Sequence, residues 1–333
     1  MTTIWRLLAL CLLVLPLALA EPASAQQSRP GDAATVPAGE MQMFQQLQGN
    51  VEGRVSIPDQ RAGMLIQPGG KQWRDFWRDT SPWVGGIAIG GMFVLLALFY
   101  LIKGRIPIEG GRSGETITRF GPIDRFAHWL TATTFIVLAI TGLNIAYGRA
   151  ILMPLIGPEA FAAFSEVGKL AHNYLSFPFV LGIVLMFVLW VKDNLPSRLD
   201  AEWFSAGGGF FTHRHVHARR FNGGQKLIFW SVVILGLAIS ATGYILMFPF
   251  TVTDLAGMQL SHVIHSVLSV ILIAIILAHI YIGSLGMEGA FDAMGSGEVD
   301  LNWAEAHHDL WAEEQRAKGH VHSPHGRQAV PAE

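Results

Sequence analysis

Five long apolar stretches dominate the chain, and none of them contains Asp, Glu, Lys or Arg. They cover residues 84–102, 126–148, 170–191, 227–253 and 255–287. Each is long enough to cross the hydrocarbon core of a bilayer, about 30 Å, as a helix. The pattern predicts an all-α membrane protein with a four-helix transmembrane core at 103–287 and one extra N-terminal transmembrane helix at 84–102.

The first 25 residues are typical of a secretory signal peptide. Arg6 precedes an apolar stretch at 7–20, and Ala23-Ser24-Ala25 offers a cleavage site; an uncleaved anchor is the alternative. Residues 26–83 are polar and lack a long apolar period, so we expect a loosely structured periplasmic arm. Its aromatic residues suit a partner or the membrane interface; they are Trp73, Phe76, Trp77 and Trp83.

The Lys and Arg residues between the stretches predict the orientation of the helices. Segments 103–125 and 192–226 together carry eleven of them, whereas segment 149–169 carries two and the last turn none. Because positive residues favour the cytoplasmic side, the mature N-terminus is predicted to be periplasmic and the tail at 288–333 cytoplasmic. The chain is then a multi-pass protein of the bacterial inner membrane.

Composition narrows the candidate chemistry. Charged residues make up only 14% and the net charge is -2, so no global field favours binding to nucleic acid. The single cysteine, Cys11, lies in the predicted signal peptide. A mature chain without cysteine cannot bind Fe–S clusters by thiolate or attach haem covalently. Histidine, with 13 copies, is the plentiful ligand that remains.

An internal repeat relates the second and fourth stretches. Trp129 and Trp230 are 101 residues apart, and so are Thr141-Gly142 and Thr242-Gly243. Both stretches run in the same predicted direction, so the matched residues lie at equal depth. The repeat indicates a duplicated helix pair, in which glycine lets a backbone or a flat cofactor approach closely.

Four histidines inside the apolar stretches fall into two pairs by depth. His265 and His279 are 14 residues apart, about 21 Å along a helix and on nearly the same face. His172 is predicted at the depth of His265, near the outer surface (the outer pair). His128 is predicted at the depth of His279, near the inner surface (the inner pair). Facing histidines suit the two axial positions of haem iron, so the pairs predict two b-type haems stacked across the membrane.

Other interpretations of these histidines are possible. His262 competes with His265 for the outer site, but it lies about 100° off the His279 face and nearer the interface. The histidines would otherwise hydrogen-bond between helices or carry protons. A zinc site is disfavoured because each pair lacks the third and fourth ligands that a tetrahedral metal needs.

Several segments resemble the gamma (cytochrome b) subunit of membrane-bound formate dehydrogenase, a branch of the dihaem cytochrome b proteins. The segments around the histidines are Pro122-Ile123-Asp124-Arg125-Phe126-Ala127-His128-Trp129, Asn222-Gly223-Gly224-Gln225-Lys226, Ile264-His265 and His279-Ile280-Tyr281. The tail adds Trp303-Ala304, His307-His308 and Trp311. Ligand spacings alone are shared with hydrogenase cytochrome b subunits, whereas the Asn-Gly-Gly-Gln-Lys segment and the tail favour formate dehydrogenase.

The resemblance implies specific roles for these residues. It implies haem ligation by His172 with His265 and by His128 with His279. It also implies a quinone pocket beside the inner haem, formed by Asn222, Gly224, Gln225 and His279. Amide donors suit a quinone carbonyl, and glycine lets the ring approach the backbone. The alternative is that residues 222–225 are only a turn that caps the following helix.

The function implied is electron transfer rather than formate chemistry, for which the chain offers no residues. Formate would be oxidised by a molybdenum or tungsten catalytic subunit, and electrons would pass through an Fe–S subunit and two haems b to menaquinone or ubiquinone on the cytoplasmic side, as in anaerobic respiration. A hydrogenase or thiosulfate-reductase cytochrome b is the alternative in the same class. A haem-free membrane anchor is the alternative from another class.

The remaining histidines lie in polar segments. His213, His215 and His217 alternate in a basic loop, where a solvated loop is favoured over a metal site. His320, His322 and His325 lie in a polar tail that we expect to be disordered.

Overall fold

The structure, a computed structural model, describes residues 70–209 and 216–322. The predicted signal peptide, the arm up to residue 69, and His213, His215 and His325 lie outside these residues. The described part is mostly helical, as predicted. Five of its helical stretches are long and apolar enough to cross a membrane, which supports the prediction of a multi-pass membrane protein.

The first helical run begins earlier than the apolar pattern predicts. It consists of α1 (Gly70–Asp75), α2 (Ser81–Gly85) and α3 (Gly91–Lys103), joined by π-helical turns at Phe76–Thr80 and Gly86–Gly90. Residues 70–83, which the sequence places in the arm, are therefore helical. Their polar residues hide this extension from a hydropathy pattern, because a helix continues wherever its backbone bonds are made, whether or not its side chains are apolar.

Four long helices follow, with short elements between them. They are α4 (Pro122–Ile151), α6 (Pro158–Trp190), α8 (Gly223–Met247) and α9 (Leu255–Tyr281), which ends in a π-helical turn at Ile282–Gly286. The short helices are α5 (Met153–Ile156) and α7 (Arg198–Ser205), with a 3-10 turn at Gly207–Gly209. Proline stands in the first turn of α4 and α6, where its missing N–H costs nothing.

The helix predicted from the fourth apolar stretch ends before the stretch does. Helix α8 ends at Met247, not at residue 253. Pro249 lacks a backbone donor and disfavours helical geometry in the residue before it, and Phe250 adopts a positive φ of 61°. Apolar composition alone does not reveal this end.

Helix packing follows the order of the chain. Helix α4 packs along α6, α8 along α9, and α6 against α8, while α3 lies against α9. A Cβ on Gly236 of α8 would stand 2.7 Å from Ile183 of α6, and one on Gly182 of α6 would collide with Thr131 of α4. Small residues let membrane helices approach closely.

The tail is folded against the segment that precedes α4. Strand β1 (Thr116–Thr118) lies between β2 (Glu298–Asp300) and β3 (Val321–His322), antiparallel to both. Helix α10 (Asp292–Gly295) precedes β2, and α11 (Leu301–Ala317) follows it. The expectation of a disordered tail is therefore wrong for His322, which lies in β3, and for His320, which bonds Gln315 at 2.9 Å. Burial of Trp303 and Trp311 provides the apolar surface that orders this segment.

Candidate haem and quinone sites

The structure brings the outer pair together. The ring centroids of His172 on α6 and His265 on α9 are 6.2 Å apart. Nδ1 of His172 lies 2.9 Å from Oγ1 of Thr141. That hydroxyl donates its own proton to the carbonyl of Val137, at 2.7 Å, so Nδ1–H of His172 must be the donor. Its other nitrogen, Nε2, therefore keeps a free lone pair.

The second half of the repeat holds His265 in the same way. Nδ1–H of His265 donates to the carbonyl of Ile239 at 2.9 Å, and Oγ1 of Thr242 lies 3.4 Å away. The glycine beside each threonine makes the approach possible. A Cβ on Gly142 would stand 3.1 Å from Cε1 of His172, and one on Gly243 would stand 3.1 Å from Cε1 of His265. The Thr-Gly repeat thus forms two equivalent contact sites for the outer pair, Thr141-Gly142 for His172 and Thr242-Gly243 for His265. We call these two sites the seats.

The inner pair has the same spacing but less support. The ring centroids of His128 on α4 and His279 on α9 are also 6.2 Å apart. Nδ1 of His128 is buried and has no hydrogen-bond partner among the described residues. A histidine that binds a metal through Nε2 usually donates Nδ1–H to a partner, so His128 lacks the orienting hydrogen bond that both histidines of the outer pair have.

Both spacings fit an iron between two imidazoles. A metal–imidazole bond is about 2 Å, and the nitrogen lies about 1 Å from the ring centre, so rings on opposite sides of one metal have centroids about 6 Å apart. Two nitrogens are the donor set that a haem iron needs in addition to its porphyrin. Within the described residues, no group of three or more His, Cys, Asp or Glu could hold a metal ion.

His262, the competing candidate for the outer site, packs against a tryptophan. Its ring stacks on Trp77, with centroids 4.2 Å apart and planes 28° from parallel. The geometry therefore favours His265 over His262 as the partner of His172.

The predicted quinone residues form a helix cap. Oδ1 of Asn222 accepts from the backbone of Gln225 at 3.0 Å, and Oε1 of Gln225 accepts from the backbone of Asn222 at 3.2 Å. This reciprocal arrangement is a capping box, as the alternative interpretation expected. A Cβ on Gly224 would stand 2.6 Å from the ring of Trp203, which covers it. Amide Nε2 of Gln225 makes no hydrogen bond in the described part of the chain.

Sequence reasoning missed a set of reciprocal contacts that we call the arginine clasp, formed by Arg119, Asp124, Arg220 and Gln225. Arg119 donates to the carbonyl of Arg220 at 2.6 Å and to Oε1 of Gln225 at 3.4 Å. Arg220 donates to the carbonyl of Arg119 at 3.5 Å and to Oδ1 of Asp124 at 3.4 Å. The signal was present, because the 101-residue offset also relates Arg119 to Arg220 and Asp124 to Gln225.

His308 of the tail completes this cluster. Its Nδ1–H donates to the carbonyl of Arg219 at 2.8 Å, so Nε2 accepts from Arg119 at 3.0 Å. Burial and the neighbouring positive charge of Arg119 hold the pKa of His308 well below its usual value. Burial and repulsion from Arg220 lower the pKa of Arg119 to about 9. The rings of Phe120, Trp303 and Trp311 lie 5.1–5.4 Å from its guanidinium carbon.

The basic loop contributes one described histidine, His217. It bonds the carboxylate of Asp309 on α11, which raises the pKa of His217. This contact joins the loop to the tail.

Membrane-spanning helices with two facing histidine pairs define a class, the b-type cytochromes, in which histidines from neighbouring helices hold haem within a bundle. The family model described as prokaryotic cytochrome b561 matches residues 119–297, more than half of the chain. The chain belongs to this family, which implies haem b as its cofactor and a role in membrane electron transfer.

Individual relatives are cytochrome b subunits of formate dehydrogenases. The formate dehydrogenase cytochrome b556(fdo) subunit of Escherichia coli (strain K12) is 29% identical over 206 residues, 61% of this chain and 94% of that protein. The nitrate-inducible cytochrome b556(Fdn) subunit of the same strain is 26% identical over 218 residues, covering 64% and 98%. The formate dehydrogenase cytochrome b556 subunit of Haemophilus influenzae (strain ATCC 51907 / DSM 11121 / KW20 / Rd) is 23% identical over 198 residues, 57% of this chain and 80% of that protein. The resemblance to formate dehydrogenase cytochrome b subunits is confirmed.

Proposed function

We propose that this chain is the membrane electron-transfer subunit of a formate dehydrogenase complex. The names of its relatives support formate dehydrogenase over a hydrogenase or a thiosulfate reductase. The observation that carries the proposal is the equal 6.2 Å spacing of two histidine pairs on one helix bundle. A haem-free anchor has no use for two such pairs.

In this proposal each pair holds one haem b. His172 and His265 bind one iron, and His128 and His279 bind the other. Haem b, when bound, supplies a one-electron carrier at each depth. At the outer site the chain orients the ligands. The bonds made by Nδ1 direct Nε2 of both histidines away from the neighbouring helix that supplies the acceptor.

The direction of transfer follows the predicted topology. Electrons come from formate oxidised on a molybdenum or tungsten subunit, and an Fe–S subunit on the periplasmic side delivers them to the outer pair. They leave from the inner pair to a quinone on the cytoplasmic side. The arginine clasp contacts the folded tail through His308, so both lie on the predicted cytoplasmic side.

The proposed quinone site comprises Asn222, Gly224, Gln225 and His279. Gln225 supports it because both protein donors bind Oε1, which leaves Nε2 to donate to a quinone oxygen. Trp203 covers Gly224, so a quinone ring that reaches this glycine must displace or stack on Trp203. The capping box and the quinone site are compatible, since the cap uses Oδ1 of Asn222 and Oε1 of Gln225 only.

The haem proposal is tested by the ratio of haem to protein. Purified chain should contain two haems b, extractable by acid-acetone, and a reduced-minus-oxidised visible spectrum should show both. His172→Ala or His265→Ala should lower the ratio to one, whereas His262→Ala should keep both haems. Absence of haem would favour the anchor, and loss of a haem in His262→Ala would make His262 the outer ligand.

The quinone proposal needs a control for the helix cap. Asn222→Ala and Gln225→Leu should keep both haems and slow quinone turnover several-fold. Loss of an N-cap alone costs about 1 kcal/mol, so Asp254→Ala, which removes the cap of α9, is the matched control and should leave turnover unchanged. Equal turnover in Gln225→Leu and wild type would return residues 222–225 to a purely structural role.

A further inference from the structure

The two arginines of the clasp occupy equivalent places but are compensated differently. Arg220 contacts two carboxylates, Asp124 at 3.4 Å and Asp193 at 2.8 Å. Arg119 contacts none in the described part of the chain. Where Arg220 meets Asp124, Arg119 meets the neutral amide of Gln225, because the 101-residue offset matches those two residues.

This difference leaves a buried positive charge without a counter-charge. Arg119 is only 4% exposed, and one of its nitrogens, Nη1, is buried with no hydrogen-bond partner among the described residues. His308 cannot neutralise it, since a histidine that donates through Nδ1 and accepts through Nε2 is neutral. Burial of an unpaired charge is costly, and Glu in place of Gln225 would remove that cost.

Gln225 transmits this charge toward a bound ligand. Its Oε1 accepts from Arg119 and from the backbone of Asn222, so the amide is polarised and its orientation fixed. Hydrogen bonds in a chain strengthen one another in a low-dielectric site. The free Nε2 is the end of that chain.

We propose that Arg119 is a positioning residue of the quinone site: its uncompensated charge, acting through the Gln225 amide, stabilises the quinone oxygen as that oxygen gains negative charge. The proposal rests on the proposed function. A quinone takes up two electrons, which come one at a time from reduced haem b, and two protons from cytoplasmic water to give the quinol. Charge on the oxygen before protonation is what a nearby fixed cation favours.

The decisive variant is Gln225→Glu, which copies the other half of the clasp. Glutamate keeps the capping box and suits a helix N-terminus, and it pairs with Arg119. We expect unchanged haem content, an equal or higher thermal midpoint, and quinone reduction slowed roughly tenfold, as for loss of a charge-assisted hydrogen bond. Arg119→Gln should slow it comparably, and Arg119→Lys, which keeps the charge, should recover much of the rate. Arg316→Gln, at an arginine paired with Glu305 on α11, is the matched control.

The measurement is the rate of haem reoxidation by decylubiquinone and by menadione in membranes that contain the assembled complex, with kcat and KM determined separately. A higher thermal midpoint together with slower quinone reduction separates this role from a structural one. If Gln225→Leu slows turnover but Gln225→Glu and Arg119→Gln both have wild-type kinetics, the role of Arg119 is overturned and the quinone site stands. Wild-type kinetics in Gln225→Leu as well would instead overturn the quinone site itself.

Discussion

The two helix pairs, α4–α6 and α8–α9, repeat some positions and differ at others. Both halves place a Thr-Gly pair against a histidine of the following helix. Both are preceded by Arg-Phe, and in both the third helical residue caps the first helix. They differ where His128 corresponds to Phe229 and where Asp124 corresponds to Gln225. The shared positions build the frame and the outer pair. The differing positions lie at the end where the inner haem and the quinone are proposed.

This comparison separates scaffold from function. The outer pair takes one histidine from the second helix of each half, so it obeys the repeat. The inner pair takes His128 from α4 and His279 from α9, so it breaks the repeat, and the equivalent of His128 is a core residue, Phe229, 7% exposed. A duplicated frame thus supports one symmetric site and one site built on its asymmetries.

The largest expected effect is loss of a haem when either seat of the outer pair is filled. Gly142→Leu and Gly243→Leu each place a side chain where a Cβ alone would stand 3.1 Å from a histidine ring, so the ring must move. We expect the haem-to-protein ratio to fall from two to one in both variants, measured by haem extraction. Gly91→Leu, where no atom lies within 4 Å, is the control. Haem loss in only one of the two variants would show that the seats are not equivalent.

The positions that differ should separate stability from haem binding. Phe229→Ala removes a buried aromatic ring and should cost about 3 kcal/mol in unfolding free energy while both haems remain. His128→Ala should lose the inner haem. Denaturant titration of both variants in detergent, followed by haem absorbance and by tryptophan fluorescence, distinguishes the two effects. Release of haem from Phe229→Ala under native conditions would contradict the assignment of residue 229 to the core.

The helices and the histidine pairing were predictable from sequence for physical reasons. Uncharged runs must cross the bilayer as helices, and a fixed rise per residue converts the spacing of His265 and His279 into depth. Helix ends were less predictable: Pro249 ends α8 inside an apolar run, and the first helical run continues into polar residues. Apolarity measures contact with lipid rather than helicity.

The tail and the arginine clasp were not predictable in the same way. The order of the tail depends on pairing between β1 and two strands that lie about 180 and about 205 residues further along the chain, which local patterns do not reveal. Arg119 counted only as one positive residue of a loop, although its burial and its contact with His308 set it apart. The wider repeat, with Arg119 matching Arg220, was the available signal.

Acid should loosen the tail through His308, which binds Arg119, the uncompensated arginine. The pKa of His308 is lowered in the folded state, so the unfolded tail binds the proton first and stability falls as pH drops below about 6.5, by about 1.4 kcal/mol per unit. His217 has a raised pKa and acts in the opposite direction, its stabilisation being lost as pH rises. The protection factors of residues 301–317, obtained from hydrogen exchange corrected for its intrinsic pH dependence, should therefore fall between pH 7.5 and pH 5.

His308→Gln is the test of that assignment, because glutamine does not titrate. Its exchange rates, corrected for intrinsic pH dependence, should be flat over the acid range. Asp309→Asn, which removes the partner of His217, should keep the acid response. An acid response that persists in His308→Gln would place the titrating group elsewhere.

The smallest expected effect is a shift in the midpoint potential of the outer haem when a threonine of either seat is replaced. An imidazole that donates through Nδ1 is a more basic ligand and stabilises ferric iron, so loss of the acceptor should raise the midpoint potential of the outer haem. A hydrogen bond contributes about 1 kcal/mol, which sets an upper limit of about 40 mV for one electron. Thr141→Val should shift the potential more than Thr242→Val, because the threonine oxygens lie 2.9 Å and 3.4 Å from Nδ1. Thr134→Val and Ser240→Ala are matched controls, since within the described residues those hydroxyls bond only the backbone of their own helices. Redox titration of the visible spectrum resolves the two haems, and a shift confined to the inner haem would reverse the assignment of the pairs.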